Sequence, residues 1–303
     1  MMKLHILGCH SATPRSLVFP SSQVLEIDNE LILIDAGEGM QIQLRKYKHK
    51  FNKIKHIFIS HLHGDHFFGL VGFLSSLRLL GREKELHIFA PVGLKEIIEL
   101  QFKIAQTDIN YPLIFHELSS HDSQNILDEE KFKVDTIPLK HRIYANGFLI
   151  REKEKPRKLN MESIQKYPEI ETWAYHNLKV GKDFVTENGT IIPNIELTLA
   201  PPPPKSYAYC SDTIYKPDII PLIKNVDLLY HEATFLEEHK ELAKKTKHST
   251  AKQAADIAKQ AEVKKLVLGH FSSRYKDEEQ FKIEAQSIFP NTDIAKEGKV
   301  FEI

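Results

Sequence analysis

The stretch that most constrains this chain is residues 54–66, IKHIFISHLHGDH. An apolar strand ends at Ser60, and His61, Leu62, His63, Gly64, Asp65 and His66 follow as a turn leading into a helix. Three imidazoles and one carboxylate packed this closely are the donor types that Zn²⁺ prefers. The His-x-His spacing lets two imidazoles meet one ion, while Asp65 and His66, past the turn at Gly64, face a second. A functionless surface cluster of histidines is the competing reading, but this spacing is far more specific than a lone His. Three more apolar runs end on metal-capable side chains: KVDTIPLKH at His141, YAYCSD at Asp212 and KLVLGH at His270. Each alone fits a structural role. Together they repeat one arrangement, a ligand near the C-terminal end of a strand, where open α/β sheets tend to place their sites.

Periodicity supplies the scaffold. Short runs rich in Ile, Val and Leu at 3–7, 23–34, 54–59, 86–90, 132–139, 207–210, 226–230 and 265–269 read as strands. Helical patterns lie at 66–80, 92–106, 216–224, 249–261 and 277–288, the fourth opening on Ser249 as N-cap. Strands alternating with helices in both halves predict a layered α/β domain over 1–303, with helices outside the sheets. The aromatic residues Phe67, Phe68 and Phe73, at helical spacing after the motif, read as core. Cys9 and Cys210 are far apart and lack CxxC spacing, which argues against both a disulfide framework and a cysteine zinc site. Cys210 reads as a small buried hydrophobe; Cys9 and His10 have a reach to the metal site as their alternative to a structural role. The chain has no secretory apolar segment at its start and no uninterrupted apolar run of membrane-spanning length, so a soluble, cytoplasmic protein without membrane contact is expected.

Charge bounds the partners. Lys plus Arg and Asp plus Glu both total 41, so no net field attracts polyanions and any RNA contact must come from local patches. Two patches stand out. Residues 151–182 carry eight Lys or Arg against five Glu, and 240–247, KELAKKTK, places four lysines just before His248. A solvated charged face is the alternative for either. The first patch belongs to residues 151–205, which run from REKEKPRK through Trp173 to PPPPK with little sustained periodicity, and which read as an inserted arm or long loop.

The signature HxHxDH at 61–66 resembles that of the metallo-β-lactamase superfamily. The resemblance implies an αβ/βα four-layer sandwich with an inserted arm at 151–195. It also implies two Zn²⁺ per chain: His61, His63 and His141 on one, Asp65, His66 and His270 on the other, and Asp212 bridging both. The ligand set suits manganese as well as zinc. Asp35, ending the run ELILID, matches a recurrent superfamily aspartate that receives a proton from a ligating His, with a turn-capping role as its alternative. HEATF at 231–235, HSTAKQAADIA at 248–258 and LGHFSSRY at 268–275 narrow the resemblance to the ribonuclease Z family. That likeness implies an endoribonuclease that removes the 3′ trailer from precursor tRNA and leaves a 3′-hydroxyl on the tRNA. In it His248 would protonate the departing 3′ oxygen, Glu232 would orient and polarise His248, and Asp65 would also take the proton of the attacking water. It implies a homodimer as well.

Two elements depart from the family's pattern. The first loop, GCHSATPRSLVFPSSQV, keeps Pro14 and Arg15 but lacks the Pro-x-Lys-x-Arg-Asn sequence, which puts rejection of CCA-bearing tRNAs in question. The arm lacks the usual Gly-Pro pair, so tRNA contacts there would use residues such as Arg151, Lys153, Lys155, Arg157 and Lys158. These departures, with the neutral charge, leave a phosphodiesterase or arylsulfatase-like hydrolase of small molecules as the alternative. A non-enzymatic RNA-binding subunit is a weaker one, because every expected ligand is present.

Overall fold

A computed structural model of the 303-residue chain describes residues 2–15 and 18–303. Among them the chain forms two compact units. The larger comprises 1–127, 134–150 and 206–303; the smaller comprises 128–133 and 151–205.

Two seven-stranded sheets organise the larger unit. In the first, Val300–Glu302, Met2–Gly8, Ser22–Ile27 and Glu30–Ala36 pair antiparallel, and Ile54–Phe58, Leu86–Pro91 and Leu113–Leu118 then continue parallel to Glu30–Ala36. In the second, Ser206–Cys210, Leu228–Glu232, Lys265–Gly269 and Thr292–Ile294 run parallel, and Asn146–Glu152, Phe132–Pro138 and Asn125–Asp128 extend the other edge. The expected single run at 23–34 is a hairpin. Asp28 and Asn29 both have positive φ, the backbone that a tight two-residue turn demands and that these residue types tolerate.

Each sheet buries one face under helices. Met40–Lys46, Leu70–Leu79 and Leu94–Ile104 enclose a core with Leu33, Ile57, Ile59 and Ile88. Ala251–Gln260 and Glu279–Gln286 do the same over Ala208, Leu229, Leu266 and Leu268. The other faces meet through side chains such as Phe58 and Phe148, with ring centroids 5.1 Å apart, and the Tyr207 hydroxyl donates to Gln23 at 2.5 Å. This is the expected four-layer sandwich, with the parallel strands of both sheets ending toward one side.

Several local details differ from the sequence reading. Thr250, not Ser249, caps Ala251–Gln260: its hydroxyl accepts from the Gln253 amide while the Gln253 side chain accepts from its own amide. Ser249 is one residue too early and instead donates to the Thr213 carbonyl. Residues 216–224 hold only a short 3₁₀ turn at Pro217–Ile219. Phe67 and Phe73 are buried, but Phe68 is 60% exposed and shields Gly64 rather than the core. The smaller unit is no bare loop. Ile164, Ile170, Leu178, Phe184, Ile192 and Leu197 form its own apolar cluster, and Asn194 ties it by donating to the carbonyls of Leu178 and Lys182.

Gly69 links the motif helix to the strand end at Asp35. Its amide donates to Ala36 at 2.8 Å, and a Cβ there would stand 2.3 Å from the Gly37 carbonyl oxygen. Gly69→Ala is therefore expected to lower stability by about 1–3 kcal/mol, the usual cost of overpacking against backbone, measured by urea unfolding.

Candidate metal centre and active site

Strand ends deliver the side chains. His61, His63, Asp65 and His66 follow Ile54–Phe58; His141 follows Phe132–Pro138; Asp212, Glu232 and His270 end or follow three adjacent parallel strands. The expected ligands converge as two groups. In one, His61 Nε2 and His141 Nε2 lie 3.0 and 3.1 Å from His63 Nδ1. In the other, Asp65 Oδ2 lies 3.6 Å from His66 Nε2 and 3.5 Å from His270 Nε2. Asp212 stands between them. Its Oδ2 is 3.5 and 3.6 Å from His61 and His141, and its Oδ1 is 3.2 and 3.1 Å from His66 and His270.

The arrangement suits cations. The Nε2 atoms of His66 and His270 are buried and make no hydrogen bond, as orphaned donors or acceptors do when a missing group completes them. Burial, chiefly, holds His61, His63 and His141 below the usual imidazole range, so they stay in the neutral form that ligates metals. At His66 burial also opposes charge, but Asp212, Asp35 and Asp65 outweigh it and push the imidazole up. Asp212 is likewise held well below the carboxylate range, against its burial, by the surrounding histidines. Three carboxylates, Asp35, Asp65 and Asp212, beside imidazoles of which three are held neutral make a pocket for positive charge. The geometry therefore fits divalent ions: His61, His63 and His141 can hold one, Asp65, His66 and His270 another, with Asp212 reaching both.

The far side of four of the rings, those of His61, His66, His141 and His270, is also held, which sets their tautomer and aim. His66 Nδ1 donates to Asp35 at 2.6 Å, and Asp35, fully buried, also accepts from the Ser60 amide at 2.7 Å, the Ser60 hydroxyl at 2.9 Å and the Tyr209 hydroxyl at 2.6 Å. Since Ser60 Oγ donates to Asp35, it accepts from His61 Nδ1 at 3.0 Å. His141 Nδ1 donates to the Lys247 carbonyl at 2.9 Å, and Thr234 Oγ1 meets His270 Nδ1 at 2.9 Å. Asp35 and His270 keep these positions with φ of 56° and 61°, backbone that costs a non-glycine residue about 1–3 kcal/mol. Asp35 is thus no turn cap but the hub beneath the motif.

Beside the second group, His248 Nδ1 donates to Glu232 Oε1 at 3.0 Å. Glu232 is wholly buried and also accepts from the amides of Thr213, Thr234 and Ser249 and from the Thr234 hydroxyl. Burial disfavours a charged His248, but Glu232 prevails and raises it to about 9. Its ring stacks on His270 with centroids 5.3 Å apart, and it lines a cleft of about 430 Å³ with Asp65, Asp212, Arg142, Phe235, Ser11 and Ala12. Sequence reasoning gave no role to Ser60, Tyr209 or the Lys247 carbonyl, nor to Thr234 although it lies within HEATF, nor to the Ala12 amide, which donates to Asp65 Oδ2 at 2.8 Å.

Full-length comparisons accompany this geometry. The ribonuclease Z of Bacteroides thetaiotaomicron is 47% identical over 301 residues, covering 99% of this chain and 95% of its own. The chain belongs to the ribonuclease Z family. A further ribonuclease Z, from Cytophaga hutchinsonii, is 49% identical over 302 residues, 99% of this chain and 96% of its own. The crystal structure of the short form of human tRNase Z matches with a TM-score of 0.72 at 28% identity, covering 99% of both chains. The metallo-β-lactamase fold protein YhfI of Bacillus subtilis shares the fold, with a TM-score of 0.69 at 20% identity over 99% of this chain and 98% of its own. A family model described as Anti-Pycsar protein Apyc1 matches residues 2–155. That half holds His61 to His141, whereas the match to ribonuclease Z spans 99% of the chain and so also covers the part that carries Asp212, Glu232, His248 and His270.

Cys9 and His10 do not enter the cleft group. The Cys9 thiol lies 3.5 Å from the Ala295 carbonyl, while His10 is clamped between Glu278 at 2.6 Å on Nε2 and Glu297 at 3.2 Å on Nδ1. The clamp fastens the start of the first loop, two residues before the Ala12 amide. Burial lowers the His10 imidazole, but Cys9 and the two carboxylates override it and raise it. A raised folded value means the clamp stabilises fully below the ordinary imidazole value of about 6.5 and loses that contribution as pH climbs toward the raised value. The stability gap between wild type and His10→Gln, from urea melts at stepped pH, should therefore shrink on the alkaline side; a gap that widens there would refute the clamp.

Proposed function

We propose that this chain is a zinc-dependent endoribonuclease that removes the 3′ trailer of precursor tRNA, acting as a homodimer in the cytoplasm. The observation that carries the reading is the pairing of two imidazole groups across Asp212 with a buried Glu232–His248 couple on the same cleft, in a chain whose identity to ribonuclease Z runs end to end. No helix of the described residues is long and apolar enough to cross a membrane.

Two divalent ions, when bound, would supply a nucleophile at neutral pH and positive charge for the phosphoryl oxygens. The chain's own groups supply the rest. Asp65, whose Oδ2 accepts from the Ala12 amide, is the group we assign to take the proton of the attacking water. The water oxygen joins phosphorus, the bond from phosphorus to the 3′ oxygen breaks, and the charged imidazole of His248 gives its proton to that oxygen. The products are a 3′-hydroxyl on the tRNA and a 5′-phosphate on the trailer. Glu232 cannot touch substrate, being buried, so its part is to keep His248 protonated and aimed. Such an acid contributes about 10²–10⁴-fold when the leaving group is an alkoxide.

We assign tRNA contacts outside the cleft to the smaller unit. Of the basic residues expected there, Arg157 donates to Thr198 at 2.6 Å, Lys155 lies 3.8 Å from Glu152 and Lys153 pairs with Asp128. Lys158 makes no such pair among the described residues and is the freest to meet a phosphate.

The test is single-turnover cleavage of a 5′-labelled precursor tRNA by zinc-loaded protein. A cut after the discriminator nucleotide is expected, slowed about 10²–10⁴-fold in His248→Ala. A chromogenic phosphodiester, whose leaving group needs no proton, should suffer less from that substitution. Turnover of the small ester without any cut in tRNA would overturn the tRNA reading and favour a small-molecule phosphodiesterase. Asp35→Asn should weaken metal binding about 10–100-fold in chelator competition, since it frees the His66 ring.

A further inference from the structure

The proposed reaction leaves the lysine-rich stretch before His248 without a role, and the structure places it beside a second basic segment. Lys140 and Arg142 flank His141, and Lys244, Lys245 and Lys247 precede His248. Two anchors bring the segments together. His141 Nδ1 donates to the Lys247 carbonyl, and Lys140 is fixed beside Asp212 through its amide to Thr213 Oγ1 at 3.1 Å and its carbonyl from the Ile214 amide at 3.0 Å. Lys247 ends its helix with φ of 65°, and this turn carries the chain from the lysines directly into His248, which lines the cleft.

None of these five side chains makes an ion pair or hydrogen bond among the described residues. Other lysines in the same unit do have partners, among them Lys240 with Glu237 at 2.8 Å, Lys264 with Asp227 at 2.7 Å and Lys299 with Asp293 at 2.8 Å. The acid within 240–248 is Glu241, and none lies within 138–144. Arg142 and Thr246 line the cleft itself. In a chain with no net charge, five unmatched cations on the two segments that bring His141 and His248 to the cleft make a basic lip, a local field for a polyanion.

Resting on the proposed reaction, we infer that this lip grips the backbone phosphates of the RNA strand on the 5′ side of the scissile bond. The side follows from the chemistry. His248 gives its proton to the 3′ oxygen, which stays with the upstream nucleotide, so the groups beside His248 border the upstream strand. The lip thus holds the mature end of the RNA rather than the trailer, and it does so through phosphates, without reading sequence.

The experiment uses the full zinc-loaded chain with Arg142→Ala and with the pair Lys244→Ala and Lys247→Asn, asparagine being tolerant of the left-handed backbone. Half-saturating RNA concentration is measured by single-turnover cleavage across a salt series, on precursors sharing one tRNA body but carrying long or short trailers. Lys264→Ala, remote from the cleft, is the control. Each lost phosphate contact should reduce the slope of log affinity against log salt by about 1, and the weakening should be the same for both trailers. An unchanged slope, or a defect that disappears with the short trailer, would overturn the assignment. Wild-type protein that turns over a small phosphodiester but cuts neither precursor would instead refute the tRNA reading on which the inference rests.

Discussion

The Asp212 carboxylate, set between two groups of imidazoles, is the interaction on which the rest of the site depends. Each oxygen faces a different group at 3.1–3.6 Å, so one side chain fixes the separation of both. Placing it there requires a parallel strand to end beneath the cleft, a second sheet to bring the HxHxDH turn opposite, and a dry floor under both. Tyr209, two residues before Ser211 on the same chain segment, spans to Asp35 and joins the two sheets at that floor. The sandwich and the site are therefore one construction: the carboxylates that a metal would neutralise lie in segments that follow strands whose other faces helices bury.

Much of this was legible because the chemistry is local. HxHxDH announces four metal-capable side chains at fixed spacing, and the apolar runs ending at His141, Asp212 and His270 announce three more; the structure brings all seven side chains together. The four-layer arrangement followed from alternation and from resemblance. What stayed hidden is tertiary. Ser60 and the Lys247 carbonyl are ordinary in sequence, and Thr234 lies in HEATF with nothing there to give it a role; they matter because folding sets them against ring nitrogens. The hairpin at 22–36 was read as one strand because Asp28 and Asn29 carry no glycine, although their short polar side chains accept positive φ.

Burial decides two positions in opposite directions. Phe68 fits the apolar period of its helix yet faces solvent, because Gly64 leaves a space that its ring covers. His10 is polar yet buried, because two carboxylates from the C-terminal segment enclose it. The smaller unit shows the same limit of periodicity: its elements are only two to five residues long, too short to display a period, yet they close around a core of their own.

The most direct test of the two-group centre is metal stoichiometry. Native mass spectrometry of chelator-stripped protein titrated with zinc should show two ions bound per chain, and Asp212→Ala should lose affinity for both, since its oxygens serve both groups. A wild-type chain that saturates at one ion, or an Asp212→Ala variant that still binds two with unchanged affinity, would contradict the account.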